Sequence, residues 1–202
     1  MNPYETIKEE ILLGKLKPGS LFNEKEYAER LGTSRTPIRE AVLKLAGEGY
    51  INILPRKGTI ISSISYSDIL SLYEYRSILE PNLFCLFKEE PSQDWIDKWK
   101  TKFSKPHPEA TLSNEDEDMA FHVELASFTH NEYLVQQEKM VMEKCLRVRV
   151  LSNMHSKKRY EESLAEHISI LEALEAKDYK AASTMLKKHL KNTLKGISFV
   201  GE

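Results

Sequence analysis

Glycine and proline are crowded into one end of this chain, and that distribution limits the fold more than any other feature. Six of the eight glycines and four of the eight prolines fall within the first 58 residues, at Pro3, Gly14, Pro18, Gly19, Gly32, Pro37, Gly47, Gly49, Pro55 and Gly58. Residues of this kind punctuate a backbone, because one accepts left-handed torsions and the other lacks an amide proton. The N-terminal third must therefore be built from short elements and turns. The remainder has few breakers and supports long helices. Its apolar residues recur at helical spacing, which predicts an all-helical antiparallel bundle.

Within the first third, Tyr4, Ile7, Ile11 and Leu12 form one face of a short helix closed by Gly14. A turn spans residues 15–20. Asn23 caps a second helix that buries Tyr27, Ala28 and Leu31 and stops at Gly32. Ser34 is the N-cap of a third helix, with Pro37 tolerated in its first turn and Ile38, Ala41, Val42 and Leu45 facing inward. Two β-rich runs follow, residues 50–54 and 59–64, joined by the basic tip Pro55-Arg56-Lys57-Gly58. That order describes a winged helix-turn-helix over residues 1–66. The serine-rich stretch 62–67 is its linker, and residues 67–202 form the helical domain.

In the third helix, Arg35 and Arg39 are four residues apart and share one exposed face near the helix start. Arginine forks match guanine O6 and N7 in the major groove, where the start of a recognition helix faces base edges. Ser34 and Thr36 add hydroxyls, and the free amides at the helix start suit a phosphate. An isolated arginine pair could equally be a solvated helix face; the ordered set of elements favours double-stranded DNA. The net charge of −2 is no obstacle, since residues 1–66 carry ten Lys and Arg against eight Glu.

Three of six histidines fall on inward faces of predicted helices in the second part. His122 follows Asp118 by four residues, His167 sits between Leu164 and Leu171, and His189 lies between Leu186 and Leu190. One such histidine is usually structural. Three on separate helices, one paired with a carboxylate, suit a single divalent ion, with zinc and nickel the leading identities. His107, His130 and His155 fall in loops or helix ends and are expected on the surface. Of the acidic run 114–118, only Asp118 is assigned to the ion; the others favour a helix start. Cys85 and Cys145 lack metal or disulfide spacing and are expected as buried free thiols.

The run SLFNEKEYAERLGTSRTPIREAVLKLAGEGYINILPRKGTII resembles the winged helix of the GntR superfamily. The resemblance implies operator contacts from Arg35, Thr36, Arg39 and Lys25. It also implies a wing of Arg56, Lys57 and Gly58 entering the minor groove. The segments LYEYRSILEP, DMAFHVELASFTHNEYL, 166–171 and 181–190 resemble the FCD ligand-binding domain of FadR-like members. That resemblance implies a metal held by Asp118, His122, His167 and His189, and an effector that is a small carboxylate. Arg76, Arg147 and Arg149 could anchor the acid bidentately, although Arg147 and Arg149 could also be a solvated face.

The expectation is a homodimeric, effector-responsive repressor on a palindromic operator. A metal-responsive repressor and a metal-dependent enzyme fused to a DNA-binding head are the alternatives. No general base or nucleophile stands at fixed spacing from the ligands, which counts against the enzyme. No apolar run reaches the roughly 20 residues needed to span a bilayer and no signal-peptide core is present, so no membrane partner and a cytoplasmic location are expected.

Overall fold

The computed structural model describes residues 2–105, 117–151 and 157–197. The chain divides into two compact units, Met1–Ser65 and Tyr66–Glu202. In the first unit, α1 (Pro3–Leu12) is capped by Asn2, whose side chain accepts from the Tyr4 amide. Helix α2 (Glu24–Arg30) is capped as expected, with Asn23 accepting from the Lys25 and Glu26 amides. Leu31 ends α2 and is only half-buried, and Gly32, at φ 63°, turns the chain in a conformation that favours glycine. Helix α3 (Arg35–Gly47) follows Ser34, but the Ser34 hydroxyl makes no capping bond. The position was right and the cap was not: Ser34 has the extended torsions of an N-cap residue, but its exposed hydroxyl accepts from no first-turn amide.

Ile7, Ile11, Ile38 and Leu45 have no accessible surface and pack with Phe22, Val42, Tyr50 and Ile61 as the core of this unit. Each such side chain contributes about 1.5–3 kcal/mol of burial. Tyr27 and Arg30 both donate to Glu10, which ties α2 to α1.

Strands β1 (Ile51–Leu54) and β2 (Gly58–Ile61) pair antiparallel, with Ile51 opposite Ile61 and Leu54 opposite Gly58. The second run was expected to reach residue 64 but leaves the ladder after Ile61. Residues 19–22, read as turn and helix approach, bond to β2 on its other side. Phe22 N donates to Thr59 O and Ile61 N to Ser20 O, at 2.8 and 3.0 Å. So short a stretch carries no alternation that would announce it.

The second unit is helical. Helix α4 (Tyr66–Leu83) carries Pro81 within it and ends in a 3-10 turn, Phe84–Leu86. After it come α5 (Gln93–Phe103), α6 (Glu117–Ser127), α7 (Glu132–Leu151), α8 (Lys157–Glu175) and α9 (Tyr179–Gly196). Apolar spacing predicts helices over 68–88, 93–103, 115–129, 132–155, 160–176 and 178–197; all six are present with shifted ends, and α4 stops short of residue 88. That early stop corrects one expectation, because the tight turn buries Phe84 and leaves Cys85 exposed; Cys145 is buried as a free thiol. Pro106 and Pro108 predict a loop over 104–113, most of which lies outside the described residues.

An aromatic group of Phe84, Trp99, Phe103 and Phe121 forms the core with Leu171, Leu186 and Leu190. Helix α8 packs on α9 and α5, and α6 packs on α7. The stripe of α4 that faces inward is Ile69, Tyr73, Arg76, Glu80 and Leu83. Two charged residues in a buried stripe require partners.

Candidate metal centre and DNA-reading surface

On the first unit, Lys25, Ser34, Arg35, Thr36 and Arg39 are all exposed, and so are Arg56, Lys57 and Gly58 at the hairpin tip. Arg35 opens α3 and Arg39 stands one turn later, opposite the buried face of Ile38, Val42 and Leu45. Among the described residues neither guanidinium has an ion-pair partner. Lys25 has a loose, fully exposed contact with Glu29 at 3.8 Å, which holds it weakly. Arg56 adopts a left-handed backbone, φ 65°, which costs an L residue about 1 kcal/mol. A glycine or asparagine would suit that turn better, so folding alone does not account for arginine there.

In the second unit, α6 supplies Asp118 and His122, α8 supplies His167, and α9 supplies His189. One donor atom from each lies within 4.8 Å of the others. The three imidazoles are buried and Asp118 is partly buried. His122 Nε2 is 3.4 Å from His167 Nε2, and Asp118 Oδ1 lies 3.4 Å from His167 Nε2 and 3.9 Å from His122 Nε2. Two donors about 2.1 Å from one zinc at a tetrahedral angle lie roughly 3.4 Å apart. The residues present therefore fit a divalent ion.

The electrostatics agree. Burial and the neighbouring His189 push the His167 pKa well below the usual imidazole value, and burial lowers that of His189 as well. Neutral imidazoles are the form that binds metal. Burial opposes ionisation of Asp118, yet the Arg149 guanidinium holds its carboxyl well below the ordinary range. Arg149 Nη1 donates to Asp118 Oδ2 at 2.5 Å, while the other oxygen, Oδ1, faces the imidazoles.

Behind this cage is a second layer that was missed from sequence. Glu80 Oε2 lies 2.7 Å from His122 Nδ1, and Arg76 donates to both Glu80 oxygens. Burial opposes its charge, but Arg76 and His122 bring the Glu80 carboxyl down to about 2. Glu166 Oε2 lies 2.8 Å from His189 Nδ1. Phe103 stacks on His167, with centroids 4.5 Å apart and planes at 16°. The available signals were slight: Glu166 directly precedes His167, and Glu80 follows Arg76 by one helical turn.

Of the three arginines expected at an effector, Arg76 is buried against Glu80, Arg149 stands on Asp118, and Arg147 is buried on α7. His130 is exposed near Glu89, as expected for a surface residue; His107 and His155 lie outside the described residues. In the acidic run, Glu117 pairs with Lys102, and 114–116 lie outside the described residues.

Glu138 on α7 is fully buried, and among the described residues neither oxygen has a hydrogen-bond partner. It lies beside Glu80 and His122, and these three also bring donor atoms within 4.8 Å of one another. Arg76 already supplies positive charge there, so we read the trio as a supporting layer rather than a second ion site. Burial, and then the Glu80 charge, push the Glu138 carboxyl up to about 9. Between its ordinary value near 4.5 and 9, the folded chain holds a proton that the unfolded chain has lost. Stability must then fall as pH rises through that window. Glu138→Gln copies the neutral acid and should gain on the native chain from pH 5 to pH 8, by up to about 1.4 kcal/mol per pH unit. Melting curves across that range check this, and parallel pH profiles for the two proteins would refute it.

Residues 71–192 match the FCD domain model, and residues 3–61 match the model of bacterial regulatory proteins of the gntR family. The chain is 28% identical over 204 residues to an uncharacterized HTH-type transcriptional regulator, YdhC, of Bacillus subtilis (strain 168), covering 98% of this chain and 91% of that one. It is 23% identical over 204 residues to the HTH-type transcriptional repressor GlaR of Escherichia coli (strain K12), covering 94% and 91%. Among solved structures, a putative transcriptional regulator GntR from Rhodococcus sp. RHA1 superposes with a TM-score of 0.76 at 21% identity, covering 95% of this chain and 93% of that one. That likeness bears on the fold.

Proposed function

This chain belongs to the GntR family of bacterial transcriptional regulators and carries an FCD effector-binding domain, and on that premise we propose that it is a repressor whose ligand is a small carboxylate held at a metal ion. The matched families and relatives are transcriptional regulators, not enzymes. No described helix is long and apolar enough to cross a membrane.

One observation carries the ligand-sensing half: one carboxylate and three imidazoles from three helices converge within 4.8 Å. Asp118, His122, His167 and His189 would hold the ion, with zinc or nickel suited to this donor set. The bound ion would supply a Lewis-acid position for a carboxylate oxygen. Arg149, partly exposed and next to Asp118, is the arginine best placed to meet the rest of the acid. Arg76 and Arg147 are more deeply buried, and Arg76 is already engaged with Glu80.

On the DNA side, each winged helix reads one half-site through Arg35, Thr36 and Arg39, supported by Lys25 and Ser34. Arg56, Lys57 and Gly58 enter the neighbouring minor groove. The functional unit in this reading is a homodimer on a palindromic operator, one winged helix to each half-site. The acid acts by binding one arrangement of the two DNA-reading heads more tightly than the other.

A second reading has its own support. The 3.4 Å spacing suits a closed four-coordinate site, in which the ion itself would be the signal. One assay separates the two. Operator affinity of the full chain is measured with zinc or nickel, with chelator, and with a panel of hydroxy and sugar acids. An acid that shifts affinity by roughly 5–150-fold only when metal is present supports the effector reading. A shift on chelation alone supports the ion as signal. Operator affinity indifferent to metal and to every acid removes the sensing role.

A further inference from the structure

Among the described residues, two of the three cage imidazoles have a carboxylate behind them, and the third does not. Glu80, on α4, meets His122 Nδ1, and Glu166, on α8, meets His189 Nδ1. Each acid is fixed from its far side. Arg76 grips Glu80 through Nε and Nη2. Arg159 donates to Glu166 from Nη1 and Nη2 at 3.1 and 2.5 Å, and Asn192 adds a third donor at 2.7 Å. Among the described residues neither His122 Nδ1 nor His167 Nδ1 completes an aligned hydrogen bond, but His122 Nδ1 has Glu80 Oε2 at 2.7 Å while His167 Nδ1 faces no carboxylate, and stacking on Phe103 holds the His167 ring.

A neutral imidazole has one bare nitrogen, and its other nitrogen carries the proton. An acceptor at Nδ1 keeps the proton there and leaves the Nε2 lone pair for an ion. It is the Nε2 atoms of His122 and His167 that approach each other, and contact with Glu166 leaves Nε2 as the free nitrogen of His189.

We propose that Glu80 and Glu166 are positioning residues of the ion site, holding His122 and His189 in the Nδ1–H form with Nε2 turned into the cage, while His167 is oriented by packing alone. This rests on the four-donor reading above. It makes the site a product of four helices: α4 contributes no donor to the cage and yet governs one through Glu80. The arginines behind both acids keep each pair near neutrality, so the orienting layer adds little net charge to the core. Arg76 thereby has a task that does not require an effector.

The test uses the full chain and zinc, with affinity read by competition against a chromophoric chelator. Glu166→Gln removes the charge at a site that is only partly buried. Arg76→Met with Glu80→Met removes the other pair together, so no buried charge is left alone. Each variant should bind zinc about 10–100-fold more weakly than the native chain. In zinc-loaded protein carrying 15N-labelled histidine, the native chain should show two ligand imidazoles with Nδ1–H bonded to carboxylate. One of those signals should shift in each variant, and the His167 signal should stay. Zinc affinity within twofold of native, with both signals unchanged, overturns the proposal. If the double variant does not fold, Glu166→Gln decides alone. A native chain that binds no zinc fails differently: it removes the cage itself, before any variant is compared.

Discussion

Replacing Arg39 with alanine lowers affinity for the specific operator by about 1–3 kcal/mol, roughly 5–150-fold, and Arg35→Ala does the same. Both side chains are exposed on the first turns of α3, and the opposite face of that helix fills the core with Ile38, Val42 and Leu45. Neither substitution removes a buried contact, so the melting temperature should hardly move. Binding to unrelated duplex DNA should fall much less than binding to operator. Each arginine would give up a base contact as well as one charge, and the charge is felt on any sequence. Fluorescence anisotropy with operator and scrambled duplexes at one salt concentration measures the difference. Equal losses on both duplexes would reassign the two arginines to the phosphate backbone.

His167→Ala should empty the second unit of metal and leave DNA recognition by the first intact. His167 is the imidazole with the least outside support, yet it stands 3.4 Å from both Asp118 Oδ1 and His122 Nε2. Its removal deletes a donor from the middle of the set, and the loss should exceed the 10–100-fold typical of a supporting residue. Elemental analysis after dialysis should fall from about one ion per chain to near none. Alanine also leaves a void against Phe103 and Phe121, whose rings both contact His167. Some loss of stability in the helical unit, of order 2–4 kcal/mol by analogy with other large-to-small core changes, should accompany the loss of metal. Operator binding through Arg35 and Arg39 should persist, because the first unit has its own core of Ile7, Ile11 and Leu45. Full metal content in this variant would take His167 out of the site.

Much of this molecule was legible in its sequence because the deciding signals are local. Asn23 caps α2 and Gly32 ends it through contacts made within a few residues. The spacing of Ile38, Ala41, Val42 and Leu45 fixes the buried face of α3, and so the face left for Arg35 and Arg39. The three inward histidines were visible for the same reason: His167 and His189 sit among leucines at helical spacing, and His122 has Asp118 one turn before it.

What sequence could not show depends on distant pairings. Residues 19–22 join β2 through backbone bonds, which leave no side-chain pattern. Cys85 faces outward because the chain tightens into a 3-10 turn after α4, and the periodicity of Leu79 and Leu83 would have continued the helix. Ser34 occupies a cap position without capping. Glu80, Glu138 and Glu166 look like ordinary helix acids until α4, α6, α7, α8 and α9 are assembled. Only then do their depth and their partners distinguish them from the solvated glutamates of the same helices.

The most direct test of the central claim is an anomalous difference map, at the zinc edge, from crystals of the full chain grown with zinc. One strong peak per chain is expected in the helical unit, about 2.0–2.2 Å from one oxygen of Asp118 and one nitrogen each of His122, His167 and His189. A zinc-loaded chain with its peak elsewhere, or with these four side chains turned apart, would contradict it.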